Sequence, residues 1–176
     1  MAVGYAAHIT ASRMAPRIDS SALVKFIDAY PTDSVPRKNG PPFTFDTQDT
    51  FYNAVVRDTI REEFPRIWLT GSLLAVGDAL KDNDYFDDYA PELELVYHLR
   101  NGVAHGNHFR FTDRGGERLA KYPAHNRDCY THGIFEITAA LDGTPVLFDF
   151  MEAGDVLDLF FAVADHLDEL GRRASP

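Results

Sequence analysis

The sequence predicts a mainly α-helical domain, a helical bundle with a β-hairpin or small antiparallel sheet added in its second half. Three observations carry that reading. Apolar residues recur at helical spacing in successive segments flanked by capping and breaking residues. After residue 108 the pattern changes to alternation. With 176 residues and 45% hydrophobic content, the chain can bury one proper core and is too short for two comfortable ones.

Residues 1–17 have no sustained period and read as a flexible N-terminal arm; one domain is expected over 18–171, followed by a tail over 172–176. Ser20 or Ser21 caps a first helix to Tyr30, with Ala22, Leu23, Phe26, Ile27 and Tyr30 as its apolar face before Pro31. Pro36, Asn39-Gly40 and Pro41-Pro42 then mark a long loop. A second helix begins near Asp46 or Thr47 and ends by Phe64, because Pro65 disfavours helical geometry in the residue before it. Its Phe51, Tyr52, Val55, Val56 and Ile60 read as core. A third helix around Ser72 to Lys81 carries Leu73, Leu74, Val76 and Leu80.

A fourth helix starts at Pro91, which suits a first helical turn, with Glu92 and Glu94 near the positive end of its dipole. Beyond it Phe109 and Phe111 alternate with His108 and Arg110, and Asp113-Arg114-Gly115-Gly116 reads as a turn. A hairpin about Asp142-Gly143 would set Ala139 opposite Val146, Ile137 opposite Phe148 and Phe135 opposite Phe150, an entirely apolar side. The last helix, about Asp155 to Leu170, aligns Val156, Phe160, Val163, Leu167 and Leu170, with Gly171 as its stop.

No apolar run approaches membrane-spanning length, so a cytoplasmic protein is expected. Cys129 is the only cysteine and can form no intramolecular disulfide. The net charge of −10 argues against a general nucleic-acid coat protein, whose affinity comes from cations that displace counterions. A local RNA site remains compatible with it. Asp82, Asp84, Asp87, Asp88, Glu92 and Glu94 form an acidic block, while Arg100, Arg110, Arg114, Arg118, Lys121 and Arg127 make the following stretch basic. His98, His105, His108, His125 and His132 lie in that stretch too. It either draws a polyanion towards it or pairs internally with the acidic block.

Within the basic stretch, Arg100-Asn101 and Ala104-His105-Gly106 bring a fixed cation, an amide and an imidazole within six residues. Arginine offers a planar fork of donors that matches phosphate oxygens, histidine can exchange a proton near neutrality, and asparagine can orient a neighbour or a hydroxyl. These are the groups that acid-base cleavage of a phosphodiester needs. The competing reading makes Arg100 a solvated helix residue and His105 a polar group at a helix C-terminus.

The string Leu99-Arg100-Asn101-x-x-Ala104-His105-Gly106 resembles the signature of the HEPN superfamily, in which an Arg, a polar residue and a His four to six positions after the Arg mark a ribonuclease site. The resemblance covers about a dozen positions, with a weaker likeness in the surrounding helical pattern. It implies a HEPN-like bundle that dimerises and cleaves RNA without a metal or cofactor, as a toxin or antiphage effector held by an antitoxin or regulatory protein. It implies catalytic roles for Arg100, Asn101 and His105. His108 and Arg110 are candidate substrate-binding residues.

Arg100 and His105 would point about 140° apart on an unbroken ideal helix, too far to grip one phosphate easily. Gly102 and Gly106 allow the helix to bend or end; alternatively a two-fold dimer brings the His of one chain beside the Arg of the other. The resemblance favours a dimer-interface site. The added strands depart from the simplest members of the family. A different class of function is a non-catalytic HEPN-like module that binds a nucleotide, RNA or protein. A third combines His105, His108, His125, Cys129 and His132 into a zinc site, although their spacing is irregular and no Cys-x-x-Cys pair is present.

Overall fold

The computed structural model describes residues 25, 28–50 and 58–174, and among these the protein is mainly α-helical with small antiparallel β elements. The chain divides into two compact units, Met1–Pro65 and Arg66–Pro176. In the first, Lys25, Asp28 and Ala29 are helical, while most of the expected helix to Tyr30 and the expected arm over 1–17 lie outside the described residues. The expected long loop is instead a hairpin: β1 (Thr32–Val35) pairs with β2 (Phe43–Asp46), Thr32 opposite Asp46 and Val35 opposite Phe43. Both strands are largely exposed, so no buried face imposes the alternation by which strands are recognised. Residues 47–50 are helical and Asp46 Oδ1 accepts the Asp49 N–H at 2.8 Å, a cap at the expected position. Phe51, Tyr52, Val55 and Val56 lie outside the described residues.

The predicted break at Pro65 is absent. A single helix, α1 (Asp58–Asp82), runs through it. Proline removes one N–H and crowds the preceding turn, but that is one defect in a 25-residue helix whose later part is anchored by fully buried Leu69 and Leu73 and by Leu80.

α2 (Pro91–Ala104) is the centre of the second unit. Pro91 sits in its first turn with Glu92 and Glu94, as the sequence predicts. Leu93, Leu95, Val96 and Leu99 are wholly buried, so the helix is apolar around most of its surface. It packs on β3 (Ala124–His125), on the 3₁₀ turn Tyr85–Asp87 and on α4 (Ala153–Ala174), which contributes Val156, Leu159 and Val163 to the core. α4 passes through Gly171 to Ala174, where Arg172 and Arg173 suit the negative end of its dipole.

Two further readings are corrected. Residues 113–116 are not a turn but the start of α3 (Asp113–Lys121). The helix places Asp113 in its first turn and Arg118 and Lys121 in its last, each favourable to the dipole, and Arg118 is tied to the core through Glu94. The small sheet follows the motif helix as expected, but its partners differ. β4 (Glu136–Ile137) pairs with β3, Ile137 opposite Ala124 and Glu136 opposite His125. Arg127 and Glu136 form an ion pair beside this sheet. Asp142-Gly143 does turn, but with Asp142 at φ −55°, ψ 129° and Gly143 at φ 79°, a type II geometry that splays the flanking strands. Ala139–Leu141 becomes a 3₁₀ turn, and Thr144 and Gly143 bond instead to the backbone of Phe109 at 2.9 Å each. Among the described residues no helix is long and apolar enough to cross a membrane.

Candidate functional site

The motif residues leave α2 in two directions. His98, Asn101 and Gly102 follow one another at helical spacing, and His105 caps the same edge. All four line a cavity of about 360 Å³. Its opposite wall comes from Phe109 to Thr112 and from the first turn of α3.

Arg100 faces elsewhere. Its stem crosses Gly77 of α1 so closely that a Cβ there would stand 2.5 Å from Arg100 Cγ, which only glycine permits. Its Nη2 and Nε donate to Asp78 Oδ1 at 2.6 and 3.1 Å, and its Nη1 donates to Asn101 Oδ1 at 3.2 Å. Both partners of the ion pair are partly open to solvent, 29% and 53% for Arg100 and Asp78. Asn101 therefore links the two directions: it accepts from Arg100 and lines the cavity with His105.

α2 ends where the motif needs it to end. The His105 N–H bonds to the carbonyls of Asn101 and Gly102, each at 3.2 Å, and Gly106 follows at φ +87°. That left-handed conformation is the one glycine supplies at a helix C-terminus. Asn107, also left-handed at φ +66°, clasps the backbone of Leu147: Oδ1 accepts its N–H at 2.8 Å and Nδ2 donates to its carbonyl at 3.1 Å. The imidazole of His105 is exposed and has no partner among the described residues. His108 does not line the cavity; its Nδ1 lies 2.9 Å from the Gly106 carbonyl. Arg110 does line it, and so does Arg114, which the sequence analysis did not single out.

No family model, curated protein or solved structure matches the chain.

His98 is the residue that sequence reasoning missed most clearly. It is 4% exposed, and its buried Nε2 has no hydrogen-bond partner. Burial, and then the nearby Arg118 charge, push its pKa down to about 4, so it is neutral at neutral pH. Its ring meets Tyr97 and Phe111 edge-on, with centroids 5.1 and 5.8 Å away. The signal was present in the spacing: position 98 shares a helical edge with 101, 102 and 105. Asp78 could not have been found that way, since it reaches Arg100 from another helix, 22 residues away.

The internal pairing of acidic and basic residues is realised in part. Glu94, completely buried, receives Arg118 Nη2 at 2.6 Å and Nε at 2.7 Å. The hydrogen bond to Glu94 raises the Arg118 pKa against the opposing effect of burial. Arg118 also donates to the Phe86 carbonyl at 2.8 Å and stacks over the Tyr97 ring at 4.4 Å. The histidines and cysteine of the zinc reading do not gather: among the described residues no three His, Cys, Asp or Glu side chains come together as a metal site. Cys129 is held as a thiol, its pKa raised to about 11 by burial and by Glu92, Asp128 and Asp165.

Proposed function

We propose that the protein is a cytoplasmic, metal-independent endoribonuclease of the HEPN type, a toxin or antiphage effector that works as a homodimer and is restrained by an antitoxin or regulatory protein. The observation that carries this reading is Asn101, which bonds to Arg100 on one side and shares the cavity with His105 on the other. In this scheme His105 takes the proton of the ribose 2′-hydroxyl, the 2′-oxygen attacks phosphorus, and the 5′-oxygen leaves with a proton, giving a 2′,3′-cyclic phosphate. The histidine of a second copy supplies the leaving-group proton. Asn101 orients the reacting groups, and arginine side chains hold the charge that builds on the phosphoryl oxygens.

A second reading, a non-catalytic module that binds a nucleotide, RNA or protein, is favoured by one feature. The Arg100 charge is already matched by Asp78, as a residue kept for packing would be. The test is cleavage of mixed single-stranded and structured RNA in excess chelator by wild type, Arg100→Ala and His105→Ala, each checked for folding and dimerisation. Cutting by wild type alone, with 2′,3′-cyclic ends, supports the nuclease. Folded proteins that all fail to cut favour the module; variants that cut as well as wild type refute the assigned residues.

A further inference from the structure

One wall of the cavity is a strap held at its two ends and unattached between them. At one end the Phe111 N–H donates to Asp142 Oδ1 at 2.9 Å, and the Phe111 ring stacks on fully buried Phe109, centroids 5.8 Å apart. At the other, the buried Glu94 carboxylate holds Arg118 Nη2 and Nε at 2.6 and 2.7 Å, and Leu119 packs on the core. Residues 112–117 lie between these anchors. Among the described residues they make no hydrogen bond, ion pair or ring contact outside α3 and its Thr112 cap, and α3 fully buries none of its residues. Thr112, Arg114 and Gly115 of this stretch nevertheless line the cavity.

The sequence weakens the same stretch. Gly115 and Gly116 follow one another near the start of a nine-residue helix, a length that is marginal without tertiary support. Neither space nor backbone demands glycine there: a Cβ at 115 would meet nothing nearer than 3.8 Å, one at 116 nothing within 4 Å, and neither residue has a positive φ. Gly71 and Gly154 also stand in open space, but in helices of 25 and 22 residues fixed by fully buried leucines. Relative to alanine, each glycine of α3 shifts the balance towards the unwound chain by about two- to fivefold.

We infer that residues 112–117 form a movable strap: the start of α3 unwinds and swings clear between fixed ends at Phe111 and Arg118, widening the cavity into a groove that admits an RNA strand past Asn101 and His105. The inference rests on the proposed function in taking RNA as the ligand. The space of about 360 Å³ lies at the small end of ligand cavities, whereas a strand must enter on one side and leave on the other. Six residues span about 9 Å as helix and about 20 Å extended, so unwinding supplies about 10 Å of slack with neither anchor displaced. A strand selects the open form, and its apparent affinity is scaled by the fraction of molecules that are open.

The experiment is amide hydrogen exchange by NMR on the full chain, together with fluorescence anisotropy of a labelled 2′-O-methyl oligoribonucleotide that cannot be cut, for wild type and Gly115→Ala/Gly116→Ala. The Gly116 N–H bonds to the Thr112 carbonyl and the Tyr122 N–H to the Arg118 carbonyl, each at 2.8 Å, so bond length alone predicts equal protection. A strap that opens makes residue 116 less protected than Tyr122 by about tenfold or more. The double variant should raise protection at 116 by about five- to thirtyfold and weaken strand binding by the same factor. Equal protection at 116 and 122, or slowed exchange with strand binding unchanged, overturns the inference. The two proposals separate: a weakly protected strap in folded protein that neither binds nor cuts RNA refutes the proposed function and leaves the motion standing, whereas RNA bound and cut equally well by wild type and the double variant does the reverse.

Discussion

Acidification should destabilise this protein through His98, by an amount that can be worked out in advance. In the folded state its pKa is about 4, because burial and the Arg118 charge disfavour the imidazolium. In the unfolded chain the same imidazole takes up a proton near the ordinary value of about 6.5. Between those values the unfolded state binds more protons, so stability is complete above about pH 6.5 and is lost as pH falls towards 4. The gap corresponds to about 3 kcal/mol in full, of which about 2.5 kcal/mol is lost between pH 7.5 and pH 4.5. The assay is urea denaturation at those two pH values for wild type and His98→Gln, in which carboxylate titration is common to both and cancels. The wild type should lose about 2.5 kcal/mol more than the variant. Equal losses, or a His98 imidazole titrating near 6.5 by NMR in the folded protein, would refute the reasoning.

Other outcomes follow from the charges around the site. Arg118→Leu, which leaves the Glu94 carboxylate buried without its cation, should cost about 3–5 kcal/mol in urea denaturation, and adding Glu94→Leu should restore part of that loss. Asp78→Asn removes an exposed partner and should change stability by less than about 1 kcal/mol. Under the proposed function the freed Arg100 should strengthen RNA binding and steepen its logarithmic salt dependence by about one. Cys129, with its thiol pushed up to about 11, should react with iodoacetamide at pH 7.5 roughly a hundredfold more slowly than a free thiol, with the difference vanishing in denaturant.

What could be read from the sequence was what depends on neighbours along the chain. Pro91 with Glu92 and Glu94 marks the start of α2, and Gly106 marks its end, because caps and left-handed residues act locally. The α4 stripe of Val156 and Val163 was legible for the same reason. Pro65 misled because its local preference was outweighed by the burial of Leu69 and Leu73 further along the helix. The pairing of Ile137 with Ala124 was hidden, since a self-consistent apolar register existed closer at hand and only the type II turn at Asp142-Gly143 disallowed it. At the site, the helical edge carrying Asn101 and His105 was inherent in the spacing. The capture of Arg100 by Asp78 and of Glu94 by Arg118 was not, because both are contacts between helices.

The clasp of Asn107 on Leu147 also sets an order of events. The turn that presents His105 is fixed by a peptide group 40 residues further on, so α2 can form during synthesis well before its C-terminal turn is held in place. A chain still lacking residues 143–147 has no partner for Asn107 or for the Phe109 backbone, and the rim of the cavity cannot close. If RNA is cut here, the nascent protein is harmless to the ribosome that makes it until this late segment emerges.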